Sequence, residues 1–212
     1  MEHRVDVHVL HMPAENKIWA DICNESLANE PINIHHLPGI YGQLREARYR
    51  GFNQGTAEYV SFVDPDDYVE PGIFQQCIDV LDANPTICGV YTLSSILHEN
   101  GTVTIHHPYR EYGAFVEPRP LEIHQLTVMR RDSVMRAYST NFDQIPQLTG
   151  DMQWIYWTMA AKAPWIAIPT IGYNWRSHQY NNNKLMGMMC VGDMTRVKYH
   201  ILNTWRTICN TG

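Results

Sequence analysis

Apolar positions in the first half of the chain fall into short blocks whose period switches between two and three-to-four residues. Val5, Val7 and Val9 alternate with Asp6 and His8, the period of a strand. Ile18 to Leu27 predicts a short helix, and Ile32 to Leu37 a second strand that stops at Pro38-Gly39. Gln43 to Gln54 reads as a helix carrying Arg45, Arg48 and Arg50, ending near Gly55. Tyr59-Val60-Ser61-Phe62-Val63 is β-branched and aromatic almost throughout, as in a strand covered on both faces. Pro71 opens a further helix, with Phe74, Cys77, Ile78 and Leu81 at three-and-four spacing and Asn84-Pro85 as its stop. This β-α-β-α-β-α order predicts an α/β fold: a mainly parallel sheet with helices on both faces.

The second half changes character. Thr86 to Leu93 predicts another apolar strand, continued as a hairpin whose turn is Asn100-Gly101 and whose return is Thr102 to His106. Tyr109 to Pro120, rich in Pro, Gly, Tyr and charge, suggests an exposed functional loop. Ile123 to Met129 reads as a strand and Asp132 to Tyr138 as a short helix. Asp151 stands at the front of an aromatic-rich helix from Met152 to Lys162, and Trp165 to Pro169 is a short strand. Met194, Val197, Ile201, Trp205 and Ile208 predict a C-terminal amphipathic helix over about 184–209, its stripe turned to the body. No repeat, low-complexity segment or linker divides the chain, so 1–212 reads as one domain.

Composition narrows the classes. With 44% hydrophobic and 18% charged residues, the chain is an ordinary globular protein. A formal net charge of −6 argues against a broad nucleic-acid surface, though not against a local basic groove. No apolar run of about twenty residues predicts a membrane span. The start Met1-Glu2-His3-Arg4-Val5-Asp6 lacks a signal-peptide core, which points to the cytoplasm, or to a host's cytoplasm for a viral protein. Cys23, Cys77, Cys88, Cys190 and Cys209 are widely spaced and form no CxxC pair, which favours reduced thiols. The neighbours His35-His36 and His106-His107 point to opposite faces of any strand and form no chelate alone.

The chemistry concentrates where Tyr59 to Val63 ends, in Asp64-Pro65-Asp66-Asp67-Tyr68. Three adjacent carboxylates repel one another and are costly to desolvate without a counter-charge. A divalent cation carrying a diphosphate supplies one, since hard cations take carboxylate oxygens and keep positions open for phosphate. Such a site also sits where open α/β sheets bind ligands, at the carboxyl ends of strands. The plainer alternative is an Asp-Pro turn that ends a strand and caps a helix.

Three blocks resemble a GT-A-fold glycosyltransferase of the family-2 type. They are Ala47 to Asp67, with its helix, Gly55-Thr56-Ala57-Glu58-Tyr59 turn, strand and Asp64-Pro65-Asp66 motif; Thr127 to Arg131 with Gly150-Asp151-Met152-Gln153-Trp154; and Ile171-Gly172-Tyr173-Asn174-Trp175-Arg176-Ser177-His178. The resemblance implies a mostly parallel sheet flanked by helices with a small antiparallel acceptor-side portion. It also implies a nucleotide-sugar-binding half over about 1–93 and an acceptor-side half over about 94–180. Its implied activity is inverting, metal-dependent transfer of a hexosyl or pentosyl group from a nucleoside-diphosphate sugar, such as a UDP-sugar, to a hydroxyl of a glycan or other acceptor. Mn²⁺ or Mg²⁺ would sit on Asp66 and His178, with Asp67 a weaker candidate; Asp64 and Pro13 would approach the donor, and Asp151 would be the general base. Arg45 and Arg48 suit a nucleotide, because guanidinium pairs with phosphate and stacks on bases, or else form a solvated helix face.

Each role has a structural alternative. The alternative for His178 is a surface or core histidine hydrogen-bonded to a neighbour, for Asp151 a helix cap or first-turn carboxylate, and for Trp154, Trp157 and Trp175 core packing in place of a sugar platform. Arg130 and Arg131 would line the acceptor side or cap a strand end. The chain departs from the family pattern after the second strand, where an acid is usual and His35-His36 stand, at His11-Met12-Pro13, at Tyr49, and at Gly150. Three other functions fit the same residues: modification of hydroxymethylated bases in DNA, which needs a flipped base, nucleotide or glycan binding without turnover, and nucleotidyl transfer, though the Gly-rich phosphate loop many such enzymes carry near their first strand is missing.

Overall fold

A computed structural model describes residues 3–106, 123–145, 147 and 151–179. The loop expected over Tyr109 to Pro120, the helix expected over 184–209, Gly150, Cys190 and Cys209 lie outside the described residues.

The chain runs β1 (Val5–His11), α1 (Lys17–Leu27), β2 (Ile32–Pro38), α2 (Leu44–Phe52), β3 (Tyr59–Val63), β4 (Tyr68–Val69), α3 (Ile73–Ala83), β5 (Gly89–His98), β6 (Val103–His106), β7 (Thr127–Arg130), α4 (Arg131–Asn141), α5 (Asp151–Ala160) and β8 (Trp165–Ser177). The strands form one sheet in the order β2-β1-β3-β7-β5-β8-β4, with β6 paired to β5. β1 runs parallel to β2 and β3, and β5 parallel to β8; β7 is antiparallel to both β3 and β5, and β4 to β8. This is the expected GT-A architecture, parallel at its core with antiparallel strands worked in.

Alternation along the strands feeds two cores. Val5, Val7, Val9, Tyr59 and Val63 face α1 and α3, packing on Cys23, Leu27, Phe74, Cys77 and Leu81. Val60, Phe62, Tyr91 and Met129 face the other way, against Phe52 of α2, Val134 and Tyr138 of α4, and Ile155 and Trp157 of α5. The polar half of β1 is therefore buried too. Asp6 sits in a pocket of partners: Arg131 Nη2 at 2.5 Å, His35 Nε2 and Asn33 Nδ2 at 2.9 Å, and the Ala57 N–H at 2.8 Å. Burial favours the neutral acid, but these bonds and the Arg131 charge prevail and hold its carboxyl below the usual range. His8 lies between Phe52 and Phe62, and a Cβ on Gly51 would fall 2.4 Å from its ring. Only glycine lets α2 approach β1 that closely.

Several expectations change in detail. The strand placed at Thr86 to Leu93 starts at Gly89 and runs to His98, so its second part forms the hairpin with β6. The short strand placed at Trp165 to Pro169 runs on to Ser177. Ile168 pairs with Thr92 but Ile171 pairs with Leu93, so the ladder bulges at 169–170 and Pro169 sits where no ladder donor is needed. Gly172 lies against Thr92 and Ile73, either of which a Cβ would meet at 2.6 Å, so it marks close packing within the strand. Arg130 and Arg131 lie away from the acidic cluster. Arg130 pairs with Tyr59 at the amino end of β3 and donates to the carbonyls of Ile87, Leu81 and Asn84; Arg131 donates to those of Ala57 and Phe52.

Candidate active site

β3 is buried along its whole length and releases the chain at its carboxyl end, so Asp64, Asp66 and Asp67 emerge at one edge of the sheet. The last residues of β8 reach the same edge. Tyr68 and Val69 pair with Asn174 and Tyr173, which ties the two segments together.

Asp67 is the strut of this junction. It is buried, and it accepts from the Tyr173 hydroxyl at 2.8 Å and from the Arg176 N–H at 2.7 Å, while its own N–H donates to the Asp64 carbonyl at 3.0 Å. The Tyr173 oxygen in turn accepts the Asp64 N–H at 3.2 Å, and Arg176 Nε donates to the Asp66 carbonyl at 2.9 Å. Burial, then the charges of Asp66 and Asp64, push the Asp67 carboxyl well up.

Asp66 and His178 meet across this junction, Oδ2 to Nε2 at 2.8 Å. His178 also packs its ring on Trp19 of α1, centroids 4.6 Å apart. Burial and the Asp64 charge push the Asp66 carboxyl up, against the pull of His178. That separation is a hydrogen bond, which a cation bound between the two groups would replace. No group of three or more His, Cys, Asp and Glu converges as a closed metal cage among the described residues. Two protein ligands with open positions are what a hard cation needs when it also binds phosphate, so the donor set fits Mg²⁺ or Mn²⁺.

Asp64 has about a third of its side chain exposed and is held from two sides. Gln125 Nε2 donates to its Oδ2 at 2.8 Å, and Arg48 Nη2 lies 3.4 Å from its Oδ1. Arg48 reaches from α2 over the Phe62 ring, 4.0 Å from the centroid, and its Nε stands 3.6 Å from Asp151 Oδ2. Asp151 opens α5 and is buried; that burial pushes its carboxyl up, and the Arg48 charge opposes the shift. Asp64 and Asp151 are thus gathered around one guanidinium, and Asp64 adjoins the Asp66–His178 pair.

The remaining candidates lie elsewhere. Arg45 is turned to the end of α4, donating to the carbonyls of Phe142 and Ile145 at 3.0 Å and to Glu46. Pro13 is exposed in the turn after β1. Trp154 and Trp157 are buried in the α5 core, and Trp175 packs partly buried on the other face. Cys23, Cys77 and Cys88 are buried free thiols, with Cys88 pushed up to about 12 by burial. Gln125 escaped sequence reasoning, since a glutamine before an apolar run carries no signal of its own. So did a chain at the ends of β1 and β2, where Glu15 lies 2.9 Å from His11 Nδ1 and His11 Nε2 lies 2.8 Å from His36 Nδ1.

Comparisons with known proteins bear on the family and the fold. The family described as Glycosyl transferase family 2 matches residues 20–141, more than half of the chain. A search of curated proteins finds no match. Among solved structures, Staphylococcus aureus TarS 1-349 superposes with a TM-score of 0.59 at 14% identity, covering 97% of this chain and 71% of that one. TarS 1-349 in complex with UDP gives 0.61 at 14% identity over 95% and 70% of the two chains. The complex with UDP-GlcNAc gives 0.61 at 12% identity over 97% and 72%. At such identities the likeness speaks for the fold.

Proposed function

The chain belongs to glycosyl transferase family 2 and is a glycosyltransferase; from that premise we propose that it moves a sugar from a UDP-sugar to an acceptor hydroxyl, with inversion and with Mn²⁺ or Mg²⁺. The observation that carries this reading is the gathering of Asp64, Asp66, Asp151 and His178 at one sheet edge. TarS, whose fold this chain shares, forms complexes with UDP and with UDP-GlcNAc, which supports a UDP-linked donor.

Asp66 and His178 would hold the cation, which when bound neutralises charge on the diphosphate leaving group. Asp64, the more exposed acid, is placed to accept a hydrogen bond from a donor hydroxyl, with Gln125 fixing its orientation. Asp151 takes the proton of the acceptor hydroxyl. The freed oxygen pair forms a bond to the anomeric carbon from the face opposite the diphosphate, and the old carbon–oxygen pair leaves with UDP. In this assignment residues 1–93 form the donor half and 94–180 the acceptor half of one domain.

UDP release from UDP-glucose, UDP-galactose and UDP-GlcNAc, with Mn²⁺ or with EDTA, tests the proposal. At least one donor should be consumed with Mn²⁺, and chelation should stop it. UDP that binds without any donor being turned over would favour a non-catalytic binding domain. No UDP binding at all would overturn the donor assignment.

A further inference from the structure

Two carboxylates given different tasks share one buried cation. Arg48 comes from the middle of α2, with its side chain 9% exposed, and stands between Asp64 at 3.4 Å and Asp151 at 3.6 Å. Arg48 Nε and Asp151 Oδ2 are both buried and have no hydrogen-bond partner among the described residues. The guanidinium lies over Phe62, so it cannot swing out to the open edge without losing that ring contact and uncovering two acids. We propose that Arg48 is a positioning residue that holds the Asp151 carboxylate in place and ties it to Asp64, and that it does not bind the donor's phosphates.

The inference rests on the reading of Asp151 as the base. A base must be ionised to accept a proton, and burial alone works against that. Among the described residues, the groups facing Asp151 are Arg48 from α2, Asp64 from the end of β3, Tyr138 from α4 and Tyr156 further along α5. Asp64 adds to the burial effect, and the two phenols are neutral in the working range. Arg48 is the member of this set that supplies positive charge. Asp151 and Asp64 in turn raise the guanidinium's own affinity for its proton, against its burial.

The test compares Arg48→Gln, Arg48→Lys and Asp151→Asn in turnover of the best-used UDP-sugar across pH, with UDP binding measured by calorimetry. In Arg48→Gln, kcat at pH 7 should fall about tenfold or more and the acidic limb of the kcat profile should move up by about one pH unit. UDP affinity should stay within about threefold, and higher pH should recover part of the turnover. Arg48→Lys, which keeps the charge but loses the ring stack, should fall between. A loss of UDP affinity with an unmoved acidic limb would make Arg48 a donor ligand and sink the proposal. If both limb and affinity stay put, Arg48 is only structural, which sinks it too. Should Arg48→Gln not fold, the ¹³C carboxyl resonance of Asp151 decides: it should titrate higher in Arg48→Lys than in the wild type, and identical titrations would refute the role. Normal turnover by Asp151→Asn would remove the premise and the proposal with it. An inactive Asp151→Asn beside an unmoved limb in Arg48→Gln would remove the Arg48 role alone.

Discussion

His178 Nε2 and Asp66 Oδ2 lie 2.8 Å apart although 112 residues separate them in the chain. One follows β8 and the other follows β3, and no local feature brings them together. UDP should bind more tightly with Mn²⁺ than with chelator, and Asp66→Ala or His178→Ala should remove most of that difference. Calorimetry on each variant reads the effect. Metal-dependent binding that survives both substitutions would move the cation elsewhere.

Asp151→Asn should lower turnover by about a hundredfold or more while UDP affinity stays within a few-fold. Asparagine keeps the size and any capping role but cannot take the acceptor's proton. If the carboxylate only starts the helix, the variant will work nearly normally, and steady-state kinetics will show it.

Asp6→Asn tests a buried charge remote from the chemistry. Removing one partner of a buried pair costs about 3–5 kcal/mol, here by stranding Arg131. Because the folded state holds the Asp6 carboxyl below its usual range, its contribution is fully present above the unfolded value of about 3.9 and is lost as pH falls through the folded value. The gap between wild type and variant in urea unfolding should therefore be widest near neutrality and narrow below pH 4. A gap independent of pH would mean that Asp6 contributes by shape alone.

Gly51→Ala offers a sign reversal. In an open helix the change stabilises by about 1 kcal/mol. Here the new methyl would fall 2.4 Å from the His8 ring, so the variant should lose about 1–3 kcal/mol. Pairing it with His8→Ala should recover part of the loss, a coupling that a double-mutant cycle measures.

Legibility followed locality. β3 is readable to the residue, because four apolar, β-branched or aromatic positions out of five, bounded by Gly-containing and Asp-Pro turns, leave little choice. The helices α1 and α3 were readable from their apolar spacing. The sequence signal for β8 stops at Pro169 because a proline and a glycine ordinarily end a strand; the bulge that accommodates them depends on its pairing with β5, which no local signal records. Asp64 and Asp66 stood out as acids at a strand end. Gln125, the position of Arg48 between two acids, and the Arg130 and Arg131 braces depend on contacts between distant segments.

The bulge in β8 makes that strand two lengths in series. Trp165 to Ile168 keep step with β5 at the strand's start, and Tyr173 to Ser177 keep step with it again only after 169–172 have taken up the slack. One residue gained or lost after Tyr173 would exchange inward and outward positions and carry His178 away from Asp66. The same change at 169–170 can be absorbed before the second stretch begins. The bulge thus divides the strand into a segment that can absorb a change in length and one whose register is tied to the Asp66–His178 contact beyond its end.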